Sequence, residues 1–243
     1  GKIGRFKDNK FQPEGDSIVR YVGVPSMRTL AERLGEGIDC RFNHVVQSIL
    51  KHGKRWTIDG FVKGLHDQKF SHEFDMVILS IPPEQAFALT HEQWLKQVYL
   101  APCLAGMFSF GDTLPFEYDG IFVDDTELSW VARDSSKPKR PDGERWVVHA
   151  TPSFSDRLYE KDDKTIIDAL FDQFQKLSAA ELPEPTFKKC HRWKYALPNP
   201  ALEKGYHIDQ ENNLAFCGDW CYGARVEGAF LSGQMLAKNL VKN

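Results

Sequence analysis

Hydrophobic and polar residues alternate through residues 1–24, on both sides of Gly15 and Asp16, and an apolar-rich run at 18–22 ends the segment. This alternation predicts a β-hairpin or a pair of strands that turns at Gly15-Asp16. A stripe with helical spacing follows, formed by Met27, Leu30, Ala31 and Leu34. The stripe predicts a helix with Ser26 as its N-cap, which ends at Gly35 and Gly37.

Further strands are predicted at 45–50, 55–58 and 74–80. The run 74–80 is almost entirely apolar, which is typical of a strand covered on both faces, and Pro82 and Pro83 end it. A helix is expected from 84 to 89. From 97 to 207 strands dominate the pattern, with predictions at 106–110, 120–123, 129–133 and 146–151. One amphipathic helix interrupts them at 166–177, and the polar stretch 134–145 predicts a surface loop.

The C-terminal part contains the most informative pattern. A short strand at 213–217 delivers Asp219 at its carboxyl end, a loop runs through Gly223, and a helix extends from Val226 to Leu240. Small residues line the first turns of this helix, so another group is expected to pack closely there: Gly228, Ala229, Ser232 and Gly233. The free N–H groups and the dipole of a helix start favour an anionic ligand. An ordinary strand–loop–helix with glycines for packing explains the same residues equally well.

Composition narrows the classes of function. The 243 residues are 42% hydrophobic and 27% charged, as in a globular protein with a substantial core, organised as one large domain or two interleaved small ones. The net charge of −3 favours neither nucleic acid nor an anionic membrane, and no apolar run approaches the roughly 20 residues that span a bilayer. No secretory signal opens the chain, and five scattered cysteines, an odd number, favour reduced thiols in the cytoplasm. No metal site is expected, because Cys217 and Cys221 lack further ligands.

Residues 217–233, CGDWCYGARVEGAFLSG, resemble the C-terminal flavin-binding signature of the FAD-dependent amine oxidase superfamily, in the form found in bacterial renalase-like proteins. Residues 21–27 (YVGVPSM), 130–138 (WVARDSSKP) and 191–196 (HRWKYA) resemble further segments of that family. The resemblance implies a mixed α/β (α+β) fold, in which an incomplete Rossmann-like FAD-binding domain is interleaved with a mixed-sheet substrate domain. It implies a substrate-domain hairpin at 1–24, FAD-binding parts at 25–96 and 211–243, and the substrate domain at 97–210.

The same resemblance implies residue roles. Asp219 is expected near the ribityl or pyrophosphate part of FAD, and the backbone of Val226, Glu227 and Gly228 near the N1–C2=O edge of the flavin. Gly218 and Arg225 complete the cofactor-binding set. The candidates for the substrate pocket are His191, Arg192, Trp193, Tyr195, Trp130, Arg133, Trp220 and Tyr222. Core packing or a surface ion pair is an alternative role for each of these, and hydride transfer strictly requires no catalytic side chain.

The family also has a Gly-x-Gly-x-x-Gly fingerprint after its first strand, which this sequence does not contain. We therefore expect roughly 80 residues of the family pattern to precede Gly1, either as a cleaved or separate segment, as a part removed by truncation, or as a second chain. On this basis the chain alone is expected to bind FAD weakly or not at all.

The implied activity is oxidation of 2- or 6-dihydro isomers of NAD(P)H to NAD(P)+ by FAD, with O2 converted to hydrogen peroxide. The small-molecule substrate would be a dihydronicotinamide. The alternatives are another flavin oxidase of the superfamily that acts on an amine or isoprenoid-type substrate, and a cofactor-free fragment that serves as a folded or partner-binding module.

Overall fold

The computed structural model describes residues 1–15, 19–64 and 68–242, which form two compact units. The first unit contains Gly1–Ile38 and Pro102–Lys194, and the second contains Asp39–Ala101 and Tyr195–Asn243. The strands in chain order are β1 (Ile3–Lys7), β2 (Lys10–Pro13), β3 (His44–His52), β4 (Arg55–Val62), β5 (Gln68–Phe74), β6 (Val77–Leu79), β7 (Leu100–Phe110), β8 (Gly120–Val123), β9 (Leu128–Arg133), β10 (Glu144–Ala150), β11 (Phe187–Pro198), β12 (His207–Asp209) and β13 (Leu214–Phe216). The α-helices are α1 (Arg28–Leu34), α2 (Pro83–Thr90), α3 (Pro152–Leu158), α4 (Asp163–Gln175), α5 (Asp219–Tyr222) and α6 (Val226–Leu240), with short 3-10 turns at Gln93–Gln97 and Asp134–Ser136.

A seven-stranded mixed sheet organises the first unit, in the order β11-β7-β10-β9-β8-β1-β2. Its core forms where alternate residues of the central strands face the apolar stripe of α4. Leu104, Val148 and Leu170 are fully buried in this core. The mixed α/β fold class is confirmed.

The first hairpin turns earlier than the sequence pattern predicts. Strands β1 and β2 are antiparallel, with Lys7 opposite Lys10, so the turn consists of Asp8 and Asn9. Both turn residues have positive φ, 51° and 57°, as two-residue hairpin turns of type I′ require. The predicted turn at Gly15-Asp16 includes Asp16, which lies outside the described residues.

The helix predicted after residue 26 is present as α1, but its cap differs. Met27 is the N-cap and no side chain caps the helix, so Ser26 contributes only its carbonyl group, which accepts the Thr29 N–H. Gly35 ends the helix as expected. No residue of α1 is buried, and its apolar stripe is exposed along its length.

The second unit contains two three-stranded sheets. Strands β3, β4 and β5 form an antiparallel meander, whereas β6 and β13 pair in parallel with β12 at the side of β13. The predicted single strand at 74–80 is divided between β5 and β6. Strand β3, in the predicted region 45–50, pairs with β4.

The unit boundaries fall at different positions from the predicted domain boundaries. Residues 25–38 belong to the first unit, and residues 195–210 belong to the second. Strands β7 and β11 each contain residues of both units. The roles of the units as FAD-binding and substrate domains stay predictions. In the described part of the chain, no helix combines the length and hydrophobicity needed to cross a membrane.

Candidate functional site

The carboxyl end of β13 leads into a glycine that no other residue can replace without strain. Gly218 has φ 148° and ψ 176°, a region of backbone conformation that is essentially restricted to glycine. A Cβ atom there would also come within 2.9 Å of the indole nitrogen of Trp220. This backbone conformation fixes the direction in which Asp219 leaves the sheet.

Asp219 carries a half-buried carboxylate beside this turn. One of its oxygens accepts the backbone N–H of Trp220 at 2.9 Å. Burial raises the pKa of Asp219, an effect that the hydrogen bond from Trp220 partly opposes. Within residues 1–15, 19–64 and 68–242 no lysine or arginine forms an ion pair with it, so its remaining acceptor capacity is available to a polar ligand.

Helix α6 begins immediately after this loop with an open end. Its N-cap is Arg225, in an extended conformation, and no side chain accepts a hydrogen bond from the first turn. The first N–H groups of a helix have no acceptor within the helix, and here Val226 and Glu227 are exposed. These donors and the positive end of the helix dipole therefore favour a carbonyl oxygen or an anion in front of α6.

Gly228 in the first turn is where the loop and the helix meet. A Cβ atom at Gly228 would overlap the carbonyl oxygen of Gly223. The small residues that the sequence singles out thus allow the loop before α6 to fold back on the helix. One turn later the buried Ser232 hydroxyl accepts the Gly218 N–H at 2.9 Å and donates to the Gly205 carbonyl, so the strand end, the loop and α6 are held as one structure.

Comparison with known proteins assigns the chain to a family. The sequence profile of the family described as flavin containing amine oxidoreductase matches residues 6–241. The chain belongs to this family. Among matching solved structures is a protein from Exiguobacterium sp. 255-15 that is provisionally named a protoporphyrinogen oxidase. The two structures align with a TM-score of 0.68 and 17% sequence identity. The alignment covers 90% of this chain and 51% of the Exiguobacterium chain. The chain therefore spans about half the length of that solved structure.

The residues around the start of α6 are compatible with a flavin, the cofactor that the family description names. An isoalloxazine ring presents a carbonyl-rich edge, which the uncapped helix start can bind, and the ribityl chain presents hydroxyl groups, which the free acceptor sites of Asp219 can bind. Gly218 and Gly228 leave no space for side chains and so keep the backbone close to this region. Arg225 and Glu227 are both exposed beside it.

The substrate-side candidates on β11 point in two directions. Cys190 belongs to the core, so alternation along the strand turns His191 and Trp193 to the opposite face. Their rings pack edge to face with centroids 4.4 Å apart, and both side chains are exposed. Trp130 on β9 is separated from them by β7 and β10.

Two arginine candidates have structural partners. Arg192 donates from Nε to the Tyr159 carbonyl, from one terminal nitrogen to the Lys161 carbonyl and from the other to the Asp163 carboxylate, so it ties the end of α3 to the start of α4. Arg133 donates to Asp119 and to the Phe116 carbonyl, and it lies 4.8 Å above the ring of Trp146. Both guanidinium groups are therefore engaged in holding the fold.

The three candidates in the second unit differ in exposure. Trp220 is only 2% exposed, and its indole N–H donates to the Ile81 carbonyl at 3.2 Å, so the ring is part of the core. Tyr195 packs partly buried against the same core. Tyr222 is 41% exposed at the end of α5, which leaves it the most accessible of the three.

His149 is a residue that the sequence did not single out. It lies on β10 directly opposite Trp130 of β9, with its side chain on the face away from the core residues Trp146 and Val148. Burial, assisted by the positive charge of Lys137, lowers the pKa of His149. Only the strand register brings His149 and Trp130 together, so no local motif in the sequence identifies the pair.

Proposed function

We propose that the chain forms part of an FAD-dependent oxidase that converts 2- or 6-dihydro isomers of NAD(P)H to NAD(P)+. When bound, the flavin supplies hydride acceptance and reoxidation by O2, which yields hydrogen peroxide. The observation that carries the proposal is the open start of α6 beside the Asp219 carboxylate, which forms no ion pair with any residue that the structure describes, in a chain matched along 6–241 by the family profile.

The residues at the start of α6 would bind the cofactor and tune its electronic properties. Backbone N–H groups of Val226 and Glu227 would donate to the carbonyl edge of the ring, where preorganised donors stabilise negative charge. Asp219 would bind the ribityl hydroxyl groups. The Gly218 turn holds Asp219 in place before any ligand binds, which reduces the entropic cost of binding.

The dihydronicotinamide substrate is favoured by the form of the signature at 218–229. No acid–base pair is required for hydride transfer, which agrees with the absence of such a pair among the candidate residues. An amine substrate of the same superfamily is the second candidate, because Tyr222 supplies an exposed aromatic ring beside the loop that leads to α6.

The test is peroxide production by the purified chain with FAD in excess. We expect hydrogen peroxide with 2- and 6-dihydronicotinamide dinucleotides and none with the ordinary 4-dihydro form. Asp219→Ala should lower flavin affinity about tenfold, the loss expected for hydrogen bonds to a charged group, whereas Asp112→Ala in an exposed bend should not. Peroxide from amines alone would favour the second candidate, and failure to bind any flavin would favour a cofactor-free module.

A further inference from the structure

The second unit contains a small cavity between the 3-10 turn Gln93–Gln97, the segment 202–207 and helix α5. Its volume is about 160 Å³. Cavities of about 150 Å³ can hold benzene, so this one has room for a single small ring. None of the residues that line it is acidic, and they are Trp94, Gln97, Leu202, Lys204, Tyr206, His207 and Cys221.

Backbone hydrogen bonds fix one wall of this cavity. The Leu202 N–H donates to the Trp220 carbonyl at 2.9 Å. The Gly205 N–H donates to the Cys221 carbonyl, also at 2.9 Å. The Gly205 carbonyl in turn accepts the Ser232 hydroxyl, so this segment is joined to both α5 and α6. A wall that is held in place before a ligand arrives reduces the entropic cost of binding.

Trp94 contributes an indole N–H group that lacks an acceptor. Its Nε1 atom is buried and forms no hydrogen bond with any residue that the structure describes. Aromatic neighbours hold the ring, whose centroid lies 4.4 Å from that of His207 and 5.3 Å from that of Phe216. A buried donor normally has a partner. Because Trp94 lines the cavity, its N–H is suited to an acceptor atom that a ligand brings there.

Lys204 gives the same cavity a positive charge. Its side chain is exposed and forms no ion pair with the carboxylates of the described ranges. The half-buried Tyr206 adds a hydroxyl group. These donors favour an anionic group, whereas Leu202 and the rings of Trp94 and His207 favour an apolar one.

We propose that this cavity binds a small aromatic carboxylate, whose carboxylate group accepts the Trp94 N–H and faces Lys204 and whose ring contacts the apolar walls. A benzene-sized ring matches the volume, whereas inorganic phosphate would leave the apolar walls without contacts. The site shares no residue with the proposed flavin site, which consists of Gly218, Asp219 and 225–228. The inference therefore goes beyond the proposed function and does not depend on it.

The experiment is isothermal titration calorimetry of the chain with benzoate and with benzamide, a neutral probe of the same size. Benzoate is expected to bind about tenfold more tightly, as is typical of hydrogen bonds to a charged group. Trp94→Phe keeps an aromatic ring but removes the donor, and should weaken benzoate binding about tenfold. Lys204→Met should weaken it about threefold, as expected for an exposed ion pair. Lys54→Met, at an exposed lysine in the turn between β3 and β4, is the matched control and should bind like wild type.

A second measurement follows the indole N–H resonance of Trp94 by NMR, which Trp94→Phe identifies by removing it. Benzoate should shift this resonance, and saturating riboflavin should leave benzoate binding unchanged. Equal binding of benzoate and benzamide, full benzoate affinity in Trp94→Phe, or an indole resonance that saturating benzoate does not move would overturn the proposal. Loss of benzoate binding in the presence of riboflavin would also overturn it, since the cavity would then belong to the flavin site. A lack of peroxide production contradicts the proposed oxidase alone.

Discussion

Two glycines of α6 show where the candidate site has no room for a larger side chain. Gly228 and Gly233 lie on the same helix, α6, but a Cβ atom would overlap the Gly223 carbonyl oxygen at Gly228, whereas nothing lies within 4 Å at Gly233. Packing therefore requires glycine at position 228. At position 233 packing does not require glycine, and its low helix propensity is unfavourable. The two positions form a matched pair for a test.

Gly228→Ala is expected to lower the free energy of unfolding by about 1–3 kcal/mol, because the loop before α6 must move to admit the methyl group. Gly233→Ala should instead raise it by about 0.5–1 kcal/mol through better helix propensity. Urea denaturation measures both values. If the two variants have equal stability, the close approach of Gly223 to the helix does not exist in solution.

At the level of whole elements, the first hairpin gives the clearest case of local turn chemistry. Asn9→Val should lower the free energy of unfolding by about 1–2 kcal/mol, because a β-branched residue at φ near 57° is strained. Asn9→Gly is the control and should retain or improve stability, since glycine suits this turn position. Thermal unfolding would contradict the assigned turn if valine were tolerated as well as glycine.

Some elements could be predicted from sequence and others could not, for physical reasons. Helices α4 and α6 have complete apolar stripes, so periodicity alone identified them. Strand β11 was missed, because lysines occupy both of its faces and hide the alternation of apolar and polar residues. The strand, loop and helix start around Asp219 and Val226 are built from consecutive residues, so the sequence predicted this local structure, whereas the pairing of His149 with Trp130 depends on strand register.

At the scale of the whole molecule, the family profile matches residues 6–241, but the sequence contains no Gly-x-Gly-x-x-Gly fingerprint. In dinucleotide-binding folds that fingerprint cradles the pyrophosphate at a helix start and lets the backbone approach it closely. The parts of a flavin that this chain is expected to bind are the ring and the ribityl chain, because Asp219 and the start of α6 are the groups that it provides.

Riboflavin, FMN and FAD are therefore expected to bind the chain with dissociation constants within about threefold of one another, since each added contact of real strength would change affinity about tenfold. AMP should not compete with riboflavin, because no group assigned to the site recognises an adenine nucleotide. Quenching of flavin fluorescence measures each affinity, with Asp219→Ala as the variant that weakens all three ligands together. If FAD binds more than tenfold tighter than riboflavin, or if AMP displaces it, the chain holds an ADP site that its sequence pattern does not reveal.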